Sequence, residues 1–141
     1  MKVSARRRAR ELALQAIYSW QMTGNSVSEI ELSIATQNDM KKVDMGFFQE
    51  ILRYVVEHAE ELDDAYKLYV TDRPEFEIDP IEKAILRLAT FELTQRIDVP
   101  YKVVINEAIE LGKSFGAADS HKFINGVLDK AVRLLRKDEM S

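Results

Sequence analysis

Three prolines and five glycines are all the punctuation in 141 residues, and no segment sustains the two-residue alternation of a half-buried strand. Apolar residues instead return every three or four positions. Such a chain buries them by packing helices together. The expected class is all-α, a compact helical bundle of about six or seven helices.

The spacing predicts a first helix over residues 5–22, with Ala5, Ala9, Leu12, Ala13, Ala16, Ile17 and Trp20 on one face and Ser4 as N-cap. Gly24 and Asn25 break it. A weaker helix follows over 27–37, with Ile30, Ile34 and Ala35 on one side, and the polar stretch 38–43 reads as a connection. Residues 44–71 carry apolar side chains from Phe47 to Tyr69 at helical spacing, as one long helix or two abutting ones. Asp79-Pro80 is an N-cap followed by proline at the first helical position, opening a helix that runs to about Arg96. Asp98-Val99-Pro100 ends it, because the residue before proline avoids helical geometry. Two more helices are expected, over 101–114 with Gly116 to close it, and from Asp119 or Ser120 to about Arg136.

At this length the chain is most simply one domain with a true core. A composition 46% hydrophobic and 31% charged excludes a disordered protein. The absence of cysteine removes disulfides, thiolate nucleophiles and cysteine-ligated metal sites, and is compatible with the expected cytoplasmic location. No apolar stretch approaches a membrane span, so no membrane partner is expected. The charged start leads into no apolar run with a cleavage site, unlike a secretory signal.

Charge is distributed unevenly. The first ten residues hold Lys2, Arg6, Arg7, Arg8 and Arg10 and no acid, whereas residues 11–141 hold 15 Lys/Arg against 24 Asp/Glu. The net charge of −4 thus hides a cationic head on an anionic body. The arginines fall mainly outside the apolar face, and cations at a helix N-terminus oppose the macrodipole. A cluster placed at that cost reads as a polyanion site, against the plainer reading of a solubilising helix end. The run from Glu57 to Glu82 places ten carboxylates beside Lys67 and Arg73, either a solvated face or a dock for a basic protein.

Catalytic patterns are thin. His58 and His121 have no metal-ligand spacing, and phosphate-loop, nucleophile-elbow and dinucleotide fingerprints are absent. Neither a metal nor a cofactor is expected. The last predicted helix is more informative. Lys122, Gly126, Asp129 and Arg133 share a polar side, with Phe123 at its border as core residue or as a platform for an unstacked base. Glycine within a helix costs about 1 kcal/mol relative to alanine, so close approach of another backbone or a ligand is expected at Gly126.

Several segments, in order and nearly end to end, resemble the NusB transcription antitermination factor family. They are Arg6-Arg7-Arg8-Ala9-Arg10-Glu11 with Gln15-Ala16-Ile17-Tyr18, and Glu82-Lys83-Ala84-Ile85-Leu86-Arg87-Leu88-Ala89 with Phe91-Glu92-Leu93. Val99-Pro100-Tyr101 through Asn106-Glu107-Ala108-Ile109-Glu110-Leu111, Lys113-Ser114-Phe115-Gly116, and Lys122-Phe123-Ile124-Asn125-Gly126-Val127-Leu128-Asp129 complete the set. The chain departs from the family pattern at Phe91, often tyrosine, and at Gly112, commonly alanine, which is expected to loosen its helix. Residues 71–79 follow no pattern that aligns.

The resemblance implies two three-helix sub-bundles within one domain, roughly residues 1–72 and 73–141. It implies a non-catalytic antitermination factor that binds boxA RNA of ribosomal-operon leaders together with ribosomal protein NusE. The complex joins other Nus factors on RNA polymerase. Carried over by position, RNA binding would use Lys2, Arg6, Arg7 and Arg10, with Asp119, Lys122 and Phe123. The protein-partner side would use Tyr18 and Glu82, with Glu75 a weaker candidate. Some family members form homodimers that bury the RNA surface, an alternative this sequence leaves open.

Three other readings compete. Ribosomal RNA methyltransferases with a similar helical domain would need many more residues for their cofactor. A duplex-DNA binder would call for a helix-turn-helix signature and a less acidic body. A pure protein-interaction bundle would make the arginines incidental.

Overall fold

The computed structural model describes residues 4–71, 73–74 and 77–140. Among these residues it is helical without strands, and it divides into two compact units, Met1–His58 and Ala59–Ser141.

In the first unit, α1 spans Ala5–Thr23. Ser4 Oγ accepts from the Arg7 N–H at 3.0 Å, and Gly24, at φ 71°, donates its N–H to the Trp20 carbonyl. Both ends are therefore closed by local chemistry, serine accepting and glycine reaching the left-handed region. Helix α2, Val27–Gln37, is capped by Ser26 in the same way. The connection after it holds a short 3-10 helix, Met40–Lys42, and Asp44 then caps α3, Met45–Glu57. Ala9, Leu12, Ala13, Ala16 and Ile17 of α1 and Phe48, Ile51, Leu52 and Val55 of α3 are fully buried, and α1 packs chiefly on α3. The predicted stripe of α1 is widened by buried Leu14 and Arg10, while Ala5 at its margin, and Ala35 on α2, lie exposed.

The 44–71 segment resolves into two helices at His58, whose backbone leaves helical geometry and whose ring stacks on Tyr54 at 4.0 Å. The next helix, α4, Ala59–Lys67, belongs to the second unit. The boundary thus lies earlier than the expected one near residue 72. A physical tie accounts for this: Arg87 grips Asp63 bidentately at 2.9 and 2.8 Å, joining α4 to α5. Helix α5, Pro80–Gln95, opens with a full capping box between Asp79 and Glu82. From Ala84 to Leu93 every residue is buried, so α5 is the central helix of its unit, flanked by α4, by α6 (Tyr101–Phe115) and by α7 (Ser120–Leu135).

The expected count of six or seven helices becomes eight among the described residues, through the division at His58 and a final turn, α8, Lys137–Met140. That turn completes two helix ends. Buried Arg136 donates to the carbonyls of Leu93, Glu92 and Arg96 at 2.6, 3.2 and 3.0 Å, satisfying the C-terminus of α5. It also pairs with Glu139. The other oxygen of Glu139 accepts from the Tyr101 N–H at 2.9 Å, which serves α6, where Pro100 offers no side-chain cap. The Tyr101 N–H, helped by Arg136 and opposed by desolvation, holds the Glu139 carboxyl below its ordinary range. No helix among the described residues is long and apolar enough to cross a membrane.

Candidate nucleic-acid interface

In the first unit the Ser4 cap starts α1 so that its first two turns carry four arginines and no acid in the opening turn. Arg7 is exposed and Arg6 is 42% exposed at its side chain, with Nε 3.8 Å from Asp44 Oδ2. Arg8 donates to Glu11 and Asn38, both at 3.3 Å. Arg10 is only 4% exposed. Its guanidinium lies 5.1 Å from the centre of the Phe47 ring, and that of Arg6 lies 5.0 Å from the same ring. A π face attracts cations, so one buried phenylalanine gathers two like charges that would otherwise repel. Lys2 lies outside the described residues.

In the second unit Asp119, Lys122 and Phe123 come together on the first turn of α7, on the side that continues to Gly126. Asp119 and Lys122 are strongly exposed and 3.9 Å apart. Phe123 is half-buried, and the guanidinium of Arg73 covers its ring at 3.6 Å from the centre. Arg73 was not among the sequence candidates. Its isolation as a cation within the acidic run was the available signal, because a lone arginine among carboxylates finds partners.

Glu82 is that partner. Its side chain is 3% exposed; one oxygen accepts from Arg73 at 2.9 Å and the other from the Asp79 N–H at 3.2 Å. The carboxylate is thus directed into the second unit. Tyr18 is half-buried on α1, with exposed Met22 one turn further on, and Glu75 lies outside the described residues.

Two glycine expectations change. No described atom lies within 4 Å of a Cβ placed on Gly126, so among the described residues no other backbone approaches it. The close approach occurs at Gly112, where a Cβ would meet the His121 Cα at 3.0 Å, and at Gly116, where it would meet the Ser120 Cβ at 2.7 Å. Whatever glycine costs the helix at position 112, it lets α7 begin tight against α6. Gly116, at φ −91°, closes α6 without the left-handed turn usual for glycine there.

Among the described residues no group of three or more histidines or carboxylates is arranged to hold a metal. Fold and site define an all-α protein of two small helical units, each carrying an arginine–phenylalanine cluster. The sequence pattern of the NusB family matches residues 7–133. The chain belongs to the NusB family.

It is 67% identical over 139 residues to the transcription antitermination protein NusB of Alteromonas mediterranea, covering 99% of each chain. Its counterpart from Pseudoalteromonas atlantica is 64% identical over 141 residues, the whole of both chains. Among solved structures, T. maritima NusB shares the fold with a TM-score of 0.83 at 27% identity, covering 99% of both chains. A structure of the antitermination factors NusB and NusE in complex with dsRNA also shares the fold, with a TM-score of 0.81 at 22% identity over 91% of this chain and 96% of that one.

Proposed function

We propose that this protein is a cytoplasmic, non-catalytic transcription antitermination factor. It binds single-stranded boxA RNA of ribosomal-operon leaders together with ribosomal protein NusE, and joins RNA polymerase with other Nus factors. The observation that carries this reading is a division of labour in a chain so close in sequence to named antitermination proteins. One unit offers clustered cations and the other an accessible aromatic ring. Cations meet phosphates and position a strand, while an aromatic face takes an unstacked base. The assembly of NusB and NusE with dsRNA on this fold supports NusE and RNA as partner classes, and the choice of single-stranded boxA is part of the proposal.

In this proposal Arg6 and Arg7 meet phosphates, with Lys2, and Arg10 sets Arg6 through the shared Phe47 ring. Asp119, Lys122 and Phe123 meet the RNA in the second unit. Tyr18 and Glu75 belong to the NusE side, where an acidic surface suits a basic ribosomal protein, and buried Glu82, expected there too, can act on that side only through Arg73 and the α5 cap. A homodimer that covers the cations would compete with RNA.

Fluorescence anisotropy of labelled boxA RNA, with and without NusE, tests the reading against scrambled and duplex RNA of equal length. Preference for single-stranded boxA, strengthened by NusE, is expected. Equal, salt-sensitive binding to all three RNAs would leave a nonspecific basic head and reject the antitermination role.

A further inference from the structure

A half-exposed phenylalanine on a helix surface ordinarily turns among rotamers, and a base that stacks on it must then bear the cost of ordering it. Phe123 is held instead. Arg73 lies against its ring at 3.6 Å, and the guanidinium is anchored at two points, donating to Glu82 Oε2 at 2.9 Å and to the Glu77 carbonyl at 3.2 Å. Glu82 is fixed in turn, because its second oxygen closes the capping box of α5 through the Asp79 N–H. The sequence Asp79 to Glu82 to Arg73 to Phe123 is a continuous mechanical line from a helix N-terminus to an aromatic ring. On the same side of α7, no described atom lies within 4 Å of a Cβ placed on Gly126.

We infer that Arg73 is a positioning residue for nucleic-acid binding: clamped by Glu82, it holds the Phe123 ring with one face covered and the other presented to an unstacked base. The inference rests on the RNA-binding reading above and deepens it, since it gives buried Glu82 an effect on RNA that needs no contact with a protein partner. The planar guanidinium is what the arrangement requires. A lysine would keep the charge but lose both the flat stack and the forked donation to Glu82 and Glu77.

The test is a double-mutant cycle on single-stranded boxA RNA, titrated at several salt concentrations without NusE. Arg73→Lys and Glu82→Gln should each weaken binding about fivefold, as expected for loss of a cation–π contact that orders the ring. The salt slope should not change, because no phosphate contact is removed. In a Phe123→Ala background neither substitution should weaken binding further. Thermal melts of every variant identify any change that merely unfolds the protein. An RNA-independent measurement stands beside them: the Arg73 Nε–H resonance should be shifted by the ring in the wild type and return to its ordinary position in Phe123→Leu.

Additive losses in the double mutant, or a salt slope lower by about one in the charge-removing Arg73→Gln, would make Arg73 a direct phosphate contact and overturn the positioning role. Tighter binding by Arg73→Lys would make it a cover over the ring and overturn it as well. If the wild type binds and Phe123→Ala weakens it while Arg73→Lys equals the wild type, the inference alone fails. If the wild type binds no RNA, the functional reading fails first.

Discussion

Each unit pairs arginine with phenylalanine, and the two pairs are built in opposite senses. In the first unit the ring is buried and the cations surround it: Phe47 is 3% exposed, with Arg6 and Arg10 both near 5 Å from its centre. In the second unit the ring is partly accessible and the cation is anchored, with Arg73 fixed to Glu82 and the Glu77 carbonyl. One aromatic therefore serves the charges, and one charge serves the aromatic. What separates the two is the depth of the ring: a buried phenylalanine seats cations at its edge of the core, whereas a partly exposed one keeps surface for another planar group.

The comparison breaks or sharpens at its rings first. Phe47→Ala should destabilise the protein by about 3–5 kcal/mol, the usual cost of emptying a buried phenylalanine site, measured by equilibrium denaturation. A small loss would mean that Phe47 is not a core residue that also seats the cations. Phe123→Ala should do the reverse, lowering boxA RNA affinity about tenfold by removing one stacking contact while leaving the denaturation midpoint nearly unmoved. A drop in stability as large as that of Phe47→Ala would erase the distinction.

Arg7→Ala comes next in size. The residue is exposed at the cationic head, so its loss should reduce the salt slope of RNA binding by about one at unchanged melting temperature. An unchanged slope would give Arg7 a structural role and take the head out of the proposal.

The smallest effect belongs to another arginine, Arg136, which is tied to the C-terminus of α5. Its partner Glu139 has a carboxyl pKa lowered first by the Tyr101 N–H. A carboxylate depressed in the folded state contributes stability above its unfolded pKa and loses it as the pH falls through the folded value. Glu139→Gln should therefore melt slightly earlier at neutral pH, with the gap closing in acid. A gap that persists or widens at low pH would show that the charge of Glu139 is not what matters there.

The local chemistry was legible in the sequence. Ser4, Gly24 and Asp79-Pro80 each act on backbone within a few residues, so their types alone foretell where α1 ends and α5 begins. The apolar spacing gave the all-helical class for the same reason. The seating of Arg10 on Phe47 could not be read this way, because ring and guanidinium come from different helices and helical spacing places Arg10 only on its own helix. Arg73 and Arg136 escaped for a related reason: one lies in a stretch without periodicity, and the other reaches carbonyls some forty residues earlier. Gly126 drew attention as a glycine within a helix, yet the positions short of room for a side chain are Gly112 and Gly116, which only the approach of His121 and Ser120 reveals.

That approach has a consequence for reading one relative through another. With His121 already at the limit for a Cβ on residue 112, a chain with alanine there must seat its last long helix a few tenths of an ångström higher, or turn it. Asp119, Lys122 and Phe123 ride on that same first turn and would inherit the offset. The absence of one carbon atom acts as a shim. Side-chain positions at the start of α7 should not be copied between alanine and glycine versions of this fold without first resetting its height.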